Sequence, residues 1–298
     1  MIFTKMHGLG NDFVLIDCRG LELPGLPKLA EKLCHRRFGI GADQLLLLRS
    51  STVADFRMQV FNGDGSEVEM CGNGIRCLAK YIWERGLSEK RAISVETLAG
   101  VMRPEKAGGL VKVDMGEPVF EPEKIPVDIV QSSRFKVQGS EEENAALSTQ
   151  NSKPIMDYPL KVEDREFKIT CVSMGNPHAV IIVDNVKNFP VAYFGPRIES
   201  HPLFPRRTNV EFIEVSGPSE IVMRVWERGA GETMACGTGA SAVAVACSIT
   251  GLTARKVTVH LAGGDLAVEW AGDNHVYMTG PAVEVFTGEI DIDGAFHR

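Results

Sequence analysis

The sequence has no basic stripe. The formal net charge is −7, and the doublets Arg36-Arg37 and Arg206-Arg207 are too short to neutralise a run of phosphates, so nucleic acid and anionic membranes are not expected partners. It also has no long apolar run. The most apolar stretch, CGTGASAVAVACSITGL at 236–252, is short and rich in Gly, Ala and Ser, and it reads as a buried helix rather than a membrane span. The first residues, MIFTKMHGLGNDFVLID, carry no apolar core followed by a small-residue cleavage site, so no signal peptide is expected. No C-x-x-C or H-x-x-x-H occurs, which argues against a metal centre, and His178 stands alone beside Pro177. No lysine stands in a pattern that marks a pyridoxal Schiff base. No heptad or twenty-residue repeat is present. Seven cysteines, an odd number, favour free thiols in a reducing cytoplasm.

What is there begins with size. The chain has 298 residues, 44% of them hydrophobic, enough for two domains with real cores. Two stretches then organise it: MCGNGIRC at 70–77 and ACGTGASA at 235–242, each a Cys followed by Gly-x-Gly and a helical run. Cys71 and Cys236 are 165 positions apart (236 − 71). The same offset links Gly10-Asn11 to Gly175-Asn176, Gln44 to Asn209, Met58-x-Val60-Phe61 to Met223-x-Val225-Trp226, and Glu67 to Glu232. Recurrence without a gap indicates an internal duplication. It predicts two similar lobes facing each other, each giving one thiol to a shared site.

Periodicity supplies the elements. Strands are expected within 1–18, at 44–48 and 56–61, and near 92–97, 101–103 and 110–115. The second half repeats them at 167–173, 179–183, 207–215, 221–226, 256–261, 265–270 and 275–279. Residues 26–38 are expected to be helical, with Phe38 on the apolar face. Ile75, Leu78, Ala79 and Ile82 make a helical stripe that Gly86 is placed to end, as Gly251 is for the second copy. The expected fold is therefore α+β, with two pseudo-symmetric strand-rich lobes, each a sheet or barrel wrapped around a central helix. The N-terminal lobe is assigned to 1–125, joined by 283–298, and the C-terminal lobe to 126–282. Pro118, Pro122 and Pro126 mark 117–130 as the crossing, and the acidic 139–153 reads as a surface loop.

A cysteine at a helix start meets unpaired backbone N–H groups and about half a positive charge, which should lower its thiol pKa toward neutrality. The same groups, approachable over Gly72, Gly74, Gly237 and Gly239, can hold a carboxylate. Two such ends suit inversion at a carbon beside a carboxylate: one thiolate takes the proton from one face and the other thiol returns one to the opposite face. The rival reading of Gly237-Thr-Gly239-Ala-Ser-Ala242 as a dinucleotide fingerprint needs a strand running straight into the glycines, and the polar ERGAGET intervenes. Cys77, Cys171 and Cys247 read as core, while Cys18 and Cys34 are uninformative.

KMHGLGNDFVLID, GIGADQ, FNGDGSEVEMCGNGIRC, GNPHAV, TNVEF and WERGAGETMACGTGA together resemble diaminopimelate epimerase. The resemblance spans both halves. It implies a cofactor-independent isomerase, usually a homodimer, that interconverts LL- and meso-diaminopimelate in lysine and peptidoglycan-precursor biosynthesis. It further implies that Cys71 and Cys236 are the acid/base thiols. Gly72, Asn73, Gly237 and Thr238 would hold the reacting carboxylate through helix-end amides. Asn11, Gln44, Asn62, Asn176, Asn209, Glu227 and Arg228 would line the pocket, with His178 and Glu227 near the reacting centre and His178 in the loop equivalent to Asn11. Related proline racemase-like enzymes carry MCGHG; Asn73 stands here instead.

Overall fold

A computed structural model of the chain describes residues 1–128 and 154–291. The expected acidic loop at 139–153 lies outside the described residues. The chain forms two compact units, Met1–Asp114 with Met278–Arg298, and Met115–Tyr277. Passage into the second unit thus comes at Asp114/Met115, before the proline-bearing 117–130. Met115 N–H already bonds Val276 O, and Val276 N–H bonds Gly116 O, which ties this stretch into the second unit.

In the first unit the strands are β1 (Ile2–Gly8), β2 (Asn11–Asp17), β3 (Gln44–Arg49), β4 (Phe56–Asn62), β5 (Glu67–Val68), β6 (Val95–Thr97), β7 (Gly100–Met102), β8 (Glu105–Ala107) and β9 (Leu110–Asp114). Two helices accompany them, α1 (Leu26–Cys34) and α2 (Gly72–Glu84). β2 and β3 run parallel and the latter pairs antiparallel with β4, so Phe13 lies opposite Gln44 and Gln44 opposite Asn62. Both faces of this sheet are covered. Leu45 and Leu47 join the core under α1, and α2 packs against β1, β2, β3 and β4 on the other side. A strand buried on both faces reads as an unbroken apolar run, which is why QLLLLR does not alternate.

The second unit repeats the scheme with β10 (Tyr158–Val162), β11 (Arg165–Ser173), β12 (Pro177–Ile182), β13 (Asn209–Gly217), β14 (Glu220–Glu227), β15 (Gly231–Thr233), β16 (Lys256–Leu261) and β17 (Gly264–Trp270), and with helices α3 (Val191–Glu199) and α4 (Gly237–Ile249). β12 and β13 are parallel with His178 opposite Asn209, and β13 and β14 are antiparallel. The chain returns through β18 (Val276–Gly280) to β19 (Val283–Glu289), which pairs with β1. α4 packs on β11, β12, β13, β16 and β17, and Gly237 and Gly239–Cys247 are all buried. Its Ala-, Val- and Gly-rich surface is apolar all round because sheet surrounds it.

α2 and α4 have the same length and the same ends. Each is preceded by a cysteine as N-cap, and each closes on a left-handed glycine, Gly86 (φ 65°) or Gly251 (φ 74°). Leu87 N–H reaches Ile82 O and Leu252 N–H reaches Cys247 O, the six-to-one bond of a Schellman cap.

Two departures from the sequence reading have identifiable physical causes. α1 ends at Cys34, not at 38, and Phe38 is 89% exposed. Gly41 and Ala42 N–H fold back onto Leu33 O and Cys34 O and consume the last helical carbonyls. α3 was not signalled by any pattern, since its Gly195-Pro196 reads as a turn. Tertiary packing overrides that: a Cβ at Gly195 would lie 2.5 Å from the Trp226 ring, so the glycine is what lets the helix seat against β14.

Candidate active site

Each unit gathers its expected residues at one end of its sheet, and the two clusters differ in chemistry. In the first, Asn11 opens β2, Gln44 opens β3, Asn62 ends β4 and Cys71 caps α2. Cys71 is extended (φ −133°, ψ 114°), and its Sγ accepts from Gly74 N–H at 3.4 Å. A Cβ at position 74 would come within 3.3 Å of Cys71 Cβ and 3.4 Å of Phe13, so the second glycine of the motif gives the thiol its room. Cys71 Sγ also lies 3.8 Å from Asn11 Oδ1, and that oxygen accepts from Asn73 Nδ2 at 3.2 Å. Gln44 donates to Asn62 Oδ1 at 2.9 Å, while Gln44 Oε1 is buried with no protein donor, an acceptor open to a ligand's N–H.

The second unit's cluster has Asn176 ahead of β12, Asn209 opening β13, Glu227 ending β14 with Arg228 next, and Cys236 capping α4. Cys236 Sγ accepts from Gly239 N–H at 3.4 Å and lies 3.4 Å from Thr238 Oγ1, which in turn accepts from Asn176 Nδ2 at 3.2 Å. Asn209 is buried with its amide engaged by the protein itself: Nδ2 donates to Pro177 O and Oδ1 accepts from Arg228 N–H. It therefore holds the strand ends and the backbone of Arg228 in place. The Arg228 side chain is exposed and touches Arg206 O at 3.4 Å.

His178 does not lie in the loop equivalent to Asn11; Asn176 does. The turn between β11 and β12 is one residue longer than that between β1 and β2, and His178 falls on β12 where the first unit has Phe13. It is fully buried. Its Nδ1 is 2.7 Å from Glu211 Oε1 and its Nε2 is 2.9 Å from Asn176 Oδ1. The carboxylate fixes Nδ1 as a donor. Glu211 also crowds α4, since a Cβ at Gly239 would lie 2.8 Å from its Oε1.

The expected lowering of the thiol pKa does not hold for Cys236. Burial raises it well above the usual range and the charges of Glu227 and Glu211 raise it further, outweighing the bonds from Thr238 and Gly239. Glu227 is raised too, first by burial, against hydrogen bonds from Thr233 and Cys236. Burial keeps the remaining core cysteines protonated: Cys77 and Cys247 are pushed up to about 12, and Cys171 is raised as well.

Glu211 and Arg76 are the site residues that the sequence reading missed. The duplication itself carried the signal. At the fixed offset Phe13 becomes His178, Leu46 becomes Glu211 and Arg76 becomes Ser241, so at each of these positions a buried ionisable group stands in one copy and not in the other. Among the described residues no group of His, Cys, Asp and Glu is arranged to hold a metal, and no helix is long and apolar enough to cross a membrane.

Comparison with known proteins adds an independent line. The family model described as diaminopimelate epimerase matches residues 3–121 and 170–285. A diaminopimelate epimerase of Moorella thermoacetica is 55% identical over 98% of this chain and 100% of its own length. One from Acetivibrio thermocellus is 51% identical over 98% and 99%, and one from Methanococcus maripaludis (strain C5) is 48% identical over 98% and 100%. Among solved structures, a Bacillus anthracis phenazine biosynthesis protein of the PhzF family superposes with a TM-score of 0.68 at 20% identity, covering 97% of this chain and 98% of that one. A probable proline racemase from Agrobacterium radiobacter gives 0.68 at 14% identity, covering 98% and 93%. At these identities the structural likeness speaks for the two-lobed α+β fold.

Proposed function

We propose a mechanism from one premise: the chain belongs to the diaminopimelate epimerase family. It is an isomerase, an amino-acid epimerase acting on diaminopimelate, and its place is in lysine biosynthesis and the supply of peptidoglycan precursor. In the proposed mechanism Cys71 and Cys236 are the acid/base pair at the α-carbon, and no cofactor takes part. One observation carries the reading. Both units set a cysteine as the N-cap of a buried helix, with its sulfur 3.4 Å from the amide three residues on, so each thiol sits beside amides that can hold a carboxylate.

Burial and two carboxylates favour the protonated form at Cys236, which suits it to give a proton to the α-carbon in one direction of the reaction. Backbone amides at Gly72, Asn73, Gly237 and Thr238 stabilise charge on the reacting carboxylate. Asn11, Gln44, Asn62 and Asn176 bind the polar ends of the substrate, with the orphan Gln44 oxygen taking an ammonium hydrogen. Arg228 meets the distal carboxylate, and Asn209 aligns its backbone. His178 and Glu227 tune the thiols. The enzyme works in the cytoplasm as a homodimer; Val283, Val285 and Phe286 on the exposed face of β19 offer apolar surface for a second copy.

Solvent deuterium tests the pair. In D2O, product should carry deuterium at the inverted carbon while early unreacted substrate keeps its hydrogen. Equal early exchange in both pools would sink the two-base reading. Cys71→Ala and Cys236→Ala should each reduce turnover by about 10²–10⁴-fold or more.

A further inference from the structure

Arg76 is the largest fully buried side chain, with no exposed surface. No carboxylate lies within ion-pair distance of it among the described residues. A buried guanidinium without a counter-ion is costly, and its donors must all be met. Four of its five N–H donors bond neutral acceptors. Nε donates to Pro281 O at 3.2 Å, and Nη1 to Gly72 O at 3.1 Å and to Met278 Sδ at 3.4 Å. Nη2 donates to Asn73 Oδ1 at 2.7 Å.

That last bond sets a direction. Arg76 offers only hydrogens, so Asn73 must turn its oxygen to it and its Nδ2 to Asn11. Asn11 turns its oxygen to Asn73 and donates its own Nδ2 to Asp43 Oδ2 at 3.0 Å. An all-donor group at one end and an all-acceptor group at the other leave one orientation for both amides. The oxygen of Asn11 therefore faces the Cys71 sulfur. Asn73 still donates to that oxygen when the thiol loses its proton, but the oxygen then faces the thiolate as a second acceptor, a contact that favours the thiol and that a nearby positive charge must outweigh.

The backbone makes space for this arrangement. A Cβ at Gly8 would lie 3.2 Å from both Arg76 Nη2 and Asn73 Cβ. At the repeat offset, Gly8 and Arg76 become Ser173 and Ser241, so the second unit has neither the gap nor the cation.

We propose, resting on the acid/base role of Cys71, that Arg76 is a positioning residue for that thiol: it locks the Asn73–Asn11 pair and supplies the standing positive charge against which the Cys71 thiolate forms. Its charge has sulfur for company. Burial lowers the guanidinium's pKa, and the opposing influences come from Cys77 and Cys71, of which Cys77 stays protonated. Other charges on and around α2 are paired among themselves: Lys5 on β1 with Asp12 on β2, Lys80 with Glu84, and Arg85 with Glu284 on β19. Asp17 on β2 pairs with Arg19, Lys112 and Asp114 on β9 carry one charge of each sign, and His7 on β1, Arg49 on β3, Arg57 on β4 and Glu289 on β19 are the other charged or titratable groups on these strands.

Iodoacetamide alkylation tests this directly, because Cys71 is half-buried and the other six cysteines are buried. The modified peptide is identified by mass and its rate followed against pH in the full chain. Arg76→Met should move the Cys71 midpoint up by about one pH unit or more, a tenfold slower alkylation at neutral pH. Asn73→Asp, which neutralises the cation without removing it, should shift it the same way, and Arg76→Lys should keep it near wild type. A fall in melting temperature with an unchanged midpoint in Arg76→Met would overturn the proposal and leave Arg76 as a strap to 278–281. If Arg76→Met does not fold, Asn73→Asp decides by the same criterion. The readout does not use turnover, so it stands apart from the catalytic reading, which fails separately if Cys71→Ala remains active.

Discussion

Phe13 and His178 hold the same place in two copies of one strand pair: Phe13 lies opposite Gln44 between β2 and β3, and His178 lies opposite Asn209 between β12 and β13. Where the first unit has a buried aromatic ring, with a buried leucine, Leu46, at the position equivalent to Glu211, the second buries an imidazole against Glu211 at 2.7 Å. The same backbone thus carries an apolar pair in one copy and an ionisable pair in the other, and the difference is open to substitution.

His178→Phe alone leaves Glu211 buried without its partner and should destabilise by about 3–5 kcal/mol. Adding Glu211→Leu restores the apolar combination of the first unit and should recover most of that loss. Epimerase turnover should stay low in both. Urea unfolding and an epimerisation assay read the two effects separately; recovery of turnover in the double variant would contradict the tuning role.

Asp12 governs acid sensitivity in the first unit. Burial alone would raise its pKa, but hydrogen bonds from Arg36 and Lys5 hold it well below the usual carboxylate range. A carboxyl whose folded pKa is depressed stabilises the fold above its unfolded value, near 3.9, and that contribution is lost as pH falls below it. Asp12→Asn should therefore cost on the order of 1–3 kcal/mol at neutral pH, and the gap to wild type should narrow steadily below about pH 4. Denaturant titrations at several pH values would show it.

Gly239→Ala should hurt more than Gly74→Ala. The added methyl at 239 would lie 2.8 Å from Glu211 Oε1 and 3.1 Å from Met223 Cε, whereas at 74 the nearest atom is Cys71 Cβ at 3.3 Å. Overpacking of this kind costs about 1–3 kcal/mol. Thermal melts of the two variants, with turnover measured in parallel, provide the comparison.

The sequence by itself determined the duplication, the two capped helices and the cysteine that stands at the start of each. Each follows from local rules: a cysteine before Gly-x-Gly, an apolar stripe at helical spacing, a glycine where the chain must turn left-handed. The fixed offset of 165 between copies carried those rules from one half to the other. Tertiary structure decided what no local rule contains. Gly195 is required in its helix because the Trp226 ring occupies the space a side chain would fill, and His178 is a buried strand residue opposite Asn209, as Phe13 is opposite Gln44. The Cys236 thiol is pushed up rather than down because burial and two carboxylates brought from β13 and β14 outweigh the bonds from Thr238 and Gly239. Arg76 bears on Cys71 only because Gly8, on another strand, leaves it room. Desolvation and charge act through space, and the residues that decide them are separated in sequence by tens of positions.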